Sequence, residues 1–201
     1  MKSYPTIPRE VRFGRDWMVY DKLDGQNVRV EWDAKKGFWK YGSRNVLAAL
    51  PQVCFDLLNE HEETVGKILK KLRLRKATLF FEFYGDRSLA GIHDPTDNMK
   101  VALLDVYVID KKRWMDPRDV EKKFRDKVPM PSLLHRGNFN KEHYAQVRSG
   151  KFQGMTFEGV VCKAPPASKG VDVMNQMFKV KNQAWIDAVR ERFHDKAEEL
   201  I

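Results

Sequence analysis

The clearest pattern in the chain lies at residues 27–32. Val28, Val30 and Trp32 fall on one face of an extended segment, and Asn27, Arg29 and Glu31 fall on the other. That alternation predicts a half-buried strand, and residues 37–44 predict its partner across a short turn. Residues 78–84, rich in phenylalanine, read as another strand. Residues 101–109 are nearly all apolar and read as a strand buried on both faces. Shorter strands are expected at 156–163 and 176–181. Helical periods lie between them. Residues 45–72 read as two helices, with Pro51 at the start of the second. Asp116-Pro117 looks like an N-cap followed by proline in the first helical position, opening a helix to about residue 126. Asn140 reads as the cap of a helix running through Arg148. Residues 182–201 fit one helix with Trp185, Ile186, Val189, Phe193 and Leu200 on a single face. The segments 128–137 and 164–170 hold clustered Pro and Gly and read as loops. The order of elements predicts an α+β fold, mainly antiparallel sheets with flanking helices, in one domain over residues 1–201.

Composition adds bounds. A chain of 201 residues with 42% hydrophobic and 11% aromatic residues can bury a sizeable core. No apolar run approaches the roughly 20 residues of a membrane span, and the first residues lack a signal-peptide pattern. Cys54 and Cys162 form no disulfide framework or metal-ligand spacing, which fits a reducing, cytoplasmic setting. The five histidines show no zinc spacing. The net charge of +9 points to a polyanionic partner, nucleic acid before an anionic membrane. Two basic runs, Lys67–Lys76 and Lys111–Arg113 followed by Trp114, have two readings. One is a solvated surface, with Ile68, Leu69 and Leu72 turned inward. The other is a phosphate-tracking surface on which Trp114 stacks a base.

Candidate chemistry centres on Tyr20-Asp21-Lys22-Leu23-Asp24-Gly25, where a lysine stands just before a glycine turn. Alone, this is an ordinary hairpin corner with a solvated lysine. Four further segments alter that reading: Ser43-Arg44; Glu82 within Phe81-Glu82-Phe83-Tyr84-Gly85; Glu158-Gly159-Val160-Val161-Cys162-Lys163; and Lys179-Val180-Lys181. Strand alternation puts Lys179 and Lys181 on one face, so both can meet one phosphate. A free lysine amine is protonated near neutral pH and cannot attack phosphorus. Neighbouring cations such as Lys163, Lys179 and Lys181, with partial desolvation, would lower its pKa.

In this order and spacing the segments resemble the motifs of the covalent nucleotidyltransferase superfamily, which holds ATP-dependent DNA and RNA ligases and mRNA capping enzymes. The resemblance covers about residues 20–185. It implies a nucleotidyltransferase domain of the ATP-grasp-like ligase adenylation type, with Lys22 as the nucleophile that takes AMP from ATP. It further implies that Lys163, Lys179 and Lys181 contact phosphates and Glu82 the ribose hydroxyls. Glu158 holds Mg2+ (or Mn2+), often through water, with Asp24 as a second partner for metal water. Arg44 matches the arginine that holds a 5′-phosphate end, and Asp21 a position that contacts the adenine amino group.

Asn27, five residues after Lys22, resembles the phage RNA ligase 2 branch, where DNA ligases and capping enzymes carry arginine. Arg29, on the same strand face, could take that arginine's part. Asp24 departs from the histidine common in the branch. The segment before Asp105 lacks the usual adenine-stacking aromatic, for which Tyr107 or Phe80 is the candidate substitute. The expectation is therefore an ATP-dependent RNA ligase core, favouring RNA over DNA and without membrane association. An OB-fold or large C-terminal domain is not expected, which leaves room for a helper protein. The alternatives are a DNA ligase core, a non-catalytic nucleic-acid-binding module and a capping guanylyltransferase.

Overall fold

A computed structural model describes residues 2–44, 49–86, 98–165 and 176–201. Two antiparallel sheets face each other. The smaller has strand order β7-β1-β8-β9, built from β1 (Gly14–Asp21), β7 (Leu133–Phe139), β8 (Gly159–Lys163) and β9 (Met177–Lys181). The larger has order β3-β2-β4-β5-β6, from β2 (Gly25–Asp33), β3 (Gly37–Ser43), β4 (Lys76–Tyr84), β5 (Lys100–Val108) and β6 (Arg113–Trp114). The helices among the described residues are α1 (Gln52–Asn59), α2 (Glu62–Lys71), α3 (Pro117–Phe124), α4 (Lys141–Arg148), α5 (Gln183–Phe193) and α6 (Ala197–Leu200). None is long and apolar enough to cross a membrane.

Alternation along each strand sorts side chains between a helix-covered core and the space between the sheets. In the larger sheet Val28, Val30 and Trp32 pack with Leu58, Val65, Leu69 and Phe124 of the helices. In the smaller, Trp17, Val19, Val160, Cys162, Phe178 and Val180 pack with Val147 of α4. The other face of β2 is buried as well, contrary to the half-buried expectation, because residues 2–8 run across it as a strap. Arg29 donates to Lys2 O (2.7 Å) and Ser3 Oγ (3.2 Å). Tyr4 packs against Phe80 and Trp114 and donates to Asp105 Oδ2 (2.5 Å), while Lys179 N donates to Pro8 O (2.9 Å). The strap therefore touches both sheets.

Asp116 and Asn140 cap α3 and α4 as expected, accepting from Arg118 N and His143 N. Three expectations need correction. The segment after Pro51 breaks between Asn59 and Glu62 into α1 and α2, and residues 45–48 of the earlier helix lie outside the described residues. Residues 133–137, part of the segment 128–137 read as loop, belong to β7, an edge strand whose half-exposed pattern hides its pairing with β1. Residues 182–201 do not form one helix. The chain reverses at His194 (φ 45°), so Ala197 and Ile201 pack back on Trp185 while Leu200 faces outward.

Candidate nucleotide-binding site

Between the sheets lies a cavity of about 530 Å³, a size suited to a small ligand. The turn after β1 delivers Lys22 into it. Met18, Tyr20 and Lys22 share the inward parity of β1, whereas Asp21 falls with Trp17 and Val19 on the opposite face. The larger sheet contributes Asn27, Arg44 and Glu82. The smaller contributes Glu158, Lys163, Lys179 and Lys181, and Asp24 lines the cavity from the turn. The ten site residues expected from the motifs all line this one cavity, although they come from five separate segments.

Lys22 Nζ stands 2.8 Å from Glu158 Oε2, and Lys181 Nζ stands 3.2 Å from Glu158 Oε1. Glu158 thus bridges two ammonium groups. About 20% of the Lys22 side chain is exposed, so a ligand can reach it. Burial alone would pull Lys22 below the ordinary lysine value, but Glu158, Glu82 and Asp24 outweigh it and hold Lys22 above that value. The expected depression by neighbouring cations falls on other residues. Lys179 is lowered to about 8 by burial and by Lys181 and Lys22. Lys181 is lowered to about 8 by burial and Lys22, against the opposing pull of Glu158. Glu82 is pushed up to about 8 by burial, with Lys22 opposing and Glu158 and Asp24 adding to the rise.

Several side chains are held differently from the expectation. Asp21 accepts from both Thr156 N (3.0 Å) and Thr156 Oγ1 (2.9 Å), which ties the approach to Glu158 onto the lysine turn. Asp24 accepts from Trp185 Nε1 at 2.9 Å, and Lys181 Nζ lies 3.8 Å from the Trp185 ring centroid. Lys163 Nζ donates to Asp105 Oδ2 (2.7 Å) and Leu104 O (2.8 Å), so it bridges the two sheets. Arg44 is held by Tyr4 O (3.2 Å) and Thr6 Oγ1 (3.0 Å) of the strap. Asn27 Nδ2 makes only a long bond to Phe81 O (3.4 Å), and its buried Oδ1 has no partner among the described residues.

Arg29 points to the strap and does not line the cavity, so it does not stand in for the missing arginine. Phe80, Tyr107 and Trp114 pack on one another outside the cavity, which removes all three as base-stacking surfaces. The aromatics among the lining residues are Tyr4, Tyr20 and Trp185. Sequence reasoning missed Tyr4 and Thr6 because the strap has no hydrophobic period.

The Lys22 turn thus stands between two antiparallel sheets, faced by lysines on one and by Glu82 on the other. The RNA ligase family model matches residues 15–181, and the chain belongs to that family. Among curated proteins no sequence match is found. Solved structures of a Naegleria gruberi RNA ligase share the fold. A variant with AMP and manganese is 17% identical with a TM-score of 0.67, covering 92% of this chain and 57% of that one. Another, with ATP and manganese, is 18% identical with a TM-score of 0.62, covering 87% and 52%. The chain thus spans little more than half the length of these relatives.

Proposed function

We propose that this protein is an ATP-dependent RNA ligase that seals 5′-phosphate and 3′-hydroxyl ends through a lysyl-AMP intermediate on Lys22. The carrying observation is the convergence of Lys22, Glu158, Lys179 and Lys181 in one nucleotide-sized cavity. The Lys22 amine, once free of its proton and of Glu158, forms a bond to the α-phosphorus of ATP as the bond to pyrophosphate breaks. Lys179 and Lys181 offset charge on the phosphates. The AMP then passes to a 5′-phosphate near Arg44, and a 3′-hydroxyl displaces it. In this reading Glu82, which lines the other wall, contacts the ribose hydroxyls. Asp21, engaged by Thr156, positions the turn in this reading.

No group of three or more His, Cys, Asp or Glu side chains among the described residues is arranged to hold a metal directly. The donors do fit a cation held through water. Glu158 and Asp24, with Glu82 beside them, form a carboxylate cluster in which Glu82 is pushed up partly by its like-charged neighbours. Mg2+ or Mn2+ would relieve that repulsion and would neutralise phosphate charge.

Incubation with α-labelled ATP and magnesium should label the protein through an acid-labile, alkali-stable phosphorus–nitrogen bond. Both Lys22→Ala and Lys22→Arg should abolish the label, because guanidinium stays protonated. Label on either variant would refute the assignment. Nicks ending in ribose or deoxyribose separate an RNA from a DNA ligase.

A further inference from the structure

The two basic runs meet, far from the cavity. Cavity-lining residues stand near one end of the larger sheet, at Gly25, Ser43 and Glu82. The opposite end is made of three turns. The β2–β3 turn carries exposed Lys35 and Lys36. The α2–β4 turn carries exposed Arg73, Arg75 and Lys76. The link from β5 to β6 carries exposed Lys111 and Lys112, with Arg113 opening β6.

Hydrogen bonds pin these turns together. Ala34 N donates to Arg75 O (2.9 Å), joining the first turn to the second. Arg75 N and Lys76 N both donate to Asp110 Oδ2 (3.0 and 3.1 Å), joining the second to the third. The carboxylates within the cluster, Asp33 and Asp110, are spent partly on this scaffolding, and their ion pairs with Lys76 and Arg75 are long, 3.8 Å each.

Helix energetics explains only part of the run. Lys67 pairs with Glu63 one turn away, and Lys70 and Lys71 suit the negative end of α2. The cations beyond them have no such reason. Two of them occupy costly backbone. Arg73 (φ 55°) follows the cap of α2, where Arg73 N bonds Lys70 O and Leu74 N bonds Leu69 O, the pattern that glycine usually fills. Lys112 (φ 48°) repeats this in the third turn. A side chain there costs roughly 1 kcal/mol or more, yet both places hold cations. At the rim, the bulge opposite Glu31 and Trp32 turns Trp39 outward, with Lys36 and Lys40 4.6 and 4.0 Å from its ring centroid.

We infer that this end of the sheet is a second RNA-contact surface, tracking the phosphodiester backbone with Trp39 as a stacking platform at its edge. The inference rests on the proposed RNA substrate. β4 runs from Lys76 at this end to Tyr84 at the cavity end, and at about 3.3 Å per residue the two contacts stand roughly 25 Å apart. The surface therefore grips the body of a substrate whose ends lie in the cavity, and it takes no part in the chemistry.

The test uses the full chain and two fluorescent, nicked, 5′-phosphorylated RNA duplexes, one long enough to cover both contacts and one reaching only the cavity. Arg73→Asn, Arg75→Gln, Lys111→Gln and Lys112→Asn are combined, since asparagine tolerates the left-handed backbone. A second variant, Lys35→Gln with Lys36→Gln and Lys111→Gln, leaves those two backbones untouched. The first variant should bind the long duplex on the order of tenfold or more weakly and lower the salt slope of its affinity by about 3. The second should lower it by about 2. Both should bind the short duplex and label with ATP as the wild type does. Unchanged affinity and salt slope on the long duplex would overturn the inference, even if binding to an acidic protein or anionic vesicles fell. If the wild type fails to label with ATP but the variants still lose RNA, the ligase reading falls and the surface stands.

Discussion

Trp185→Phe tests whether the C-terminal helix is what sets the lysine turn. Trp185 is 1% exposed, and its Nε1 donates to Asp24 Oδ2 at 2.9 Å. Phenylalanine keeps an aromatic face for Lys181 but has no donor. A hydrogen bond to a charged acceptor contributes about 1.5–3 kcal/mol. At roughly 2–4 °C per kcal/mol for a chain of this size, Tm should fall by about 3–12 °C. The assay is thermal and urea unfolding of wild type, Trp185→Phe, Asp24→Asn and the double variant. Because the partners touch, the double variant should be less destabilised than the sum of the singles by more than about 0.5 kcal/mol. An additive cycle, or an unchanged Tm for Trp185→Phe, would refute the reasoning and detach Asp24 from α5.

Glu82 gives a pH signature in chelator-treated protein. Its folded value of about 8 lies above the ordinary carboxylate value, so the folded state holds the proton better than the unfolded state. That contribution is complete below about pH 4.5 and disappears as pH rises through 8. Urea unfolding should show stability falling over this window, and Glu82→Gln should flatten the fall; an unaltered profile would remove Glu82 as its source. Asp105→Asn or Lys163→Met alone should cost about 3–5 kcal/mol by leaving one buried partner, and the double variant should cost less than either. A loss in the double variant equal to the sum of the two single losses would show that the pair is not coupled. Asn27→Ala should keep much of the ATP labelling but slow joining of pre-adenylated RNA on the order of 100-fold in single-turnover assays. Normal joining would reduce Asn27 to a strand residue.

What was legible in the sequence was carried by local rules. Strand parity alone placed Lys179 and Lys181 on one face, and proline with capping side chains located α3 and α4. The Lys22, Arg44, Glu82 and Glu158 segments stood out only through their resemblance, in order and spacing, to nucleotidyltransferase motifs, and the cavity collects them. Contacts without a local signal escaped. Tyr4 and Asp105 are 101 residues apart, and the strap that joins them is proline-rich and aperiodic. β7 is recognisable only by its partner. The reversal at His194 depends on a left-handed residue that the helical apolar pattern continues straight across. Asp21 neighbours Lys22 in sequence, but its carboxylate is engaged by Thr156, a contact 135 residues away that no local rule signals.

Lys163 is the residue whose two readings differ most, and magnitudes decide between them. As a phosphate ligand it would have to leave Asp105 Oδ2 and Leu104 O, both within 2.8 Å, and the Asp105 carboxylate is deeply buried. Separating a buried pair leaves an uncompensated charge, a loss of about 3–5 kcal/mol, whereas one charge-assisted bond to phosphate returns about 1.5–3 kcal/mol. The exchange is unfavourable while Lys179 and Lys181 stand nearby at about 8, already half relieved of their protons near that pH and gaining stability from an arriving anion. We therefore expect Lys163 to act as a strut. It fixes β8 against β5, as Tyr20 Oη fixes β1 against α3 through Glu121 Oε2 (3.0 Å). With Lys179 and Lys181 on one sheet and Glu82, Asn27 and Arg44 on the other, such struts set the distance between the two halves of the cavity. A change at Lys163 should thus disturb alignment of nucleotide with Lys22 before it weakens the hold on phosphate.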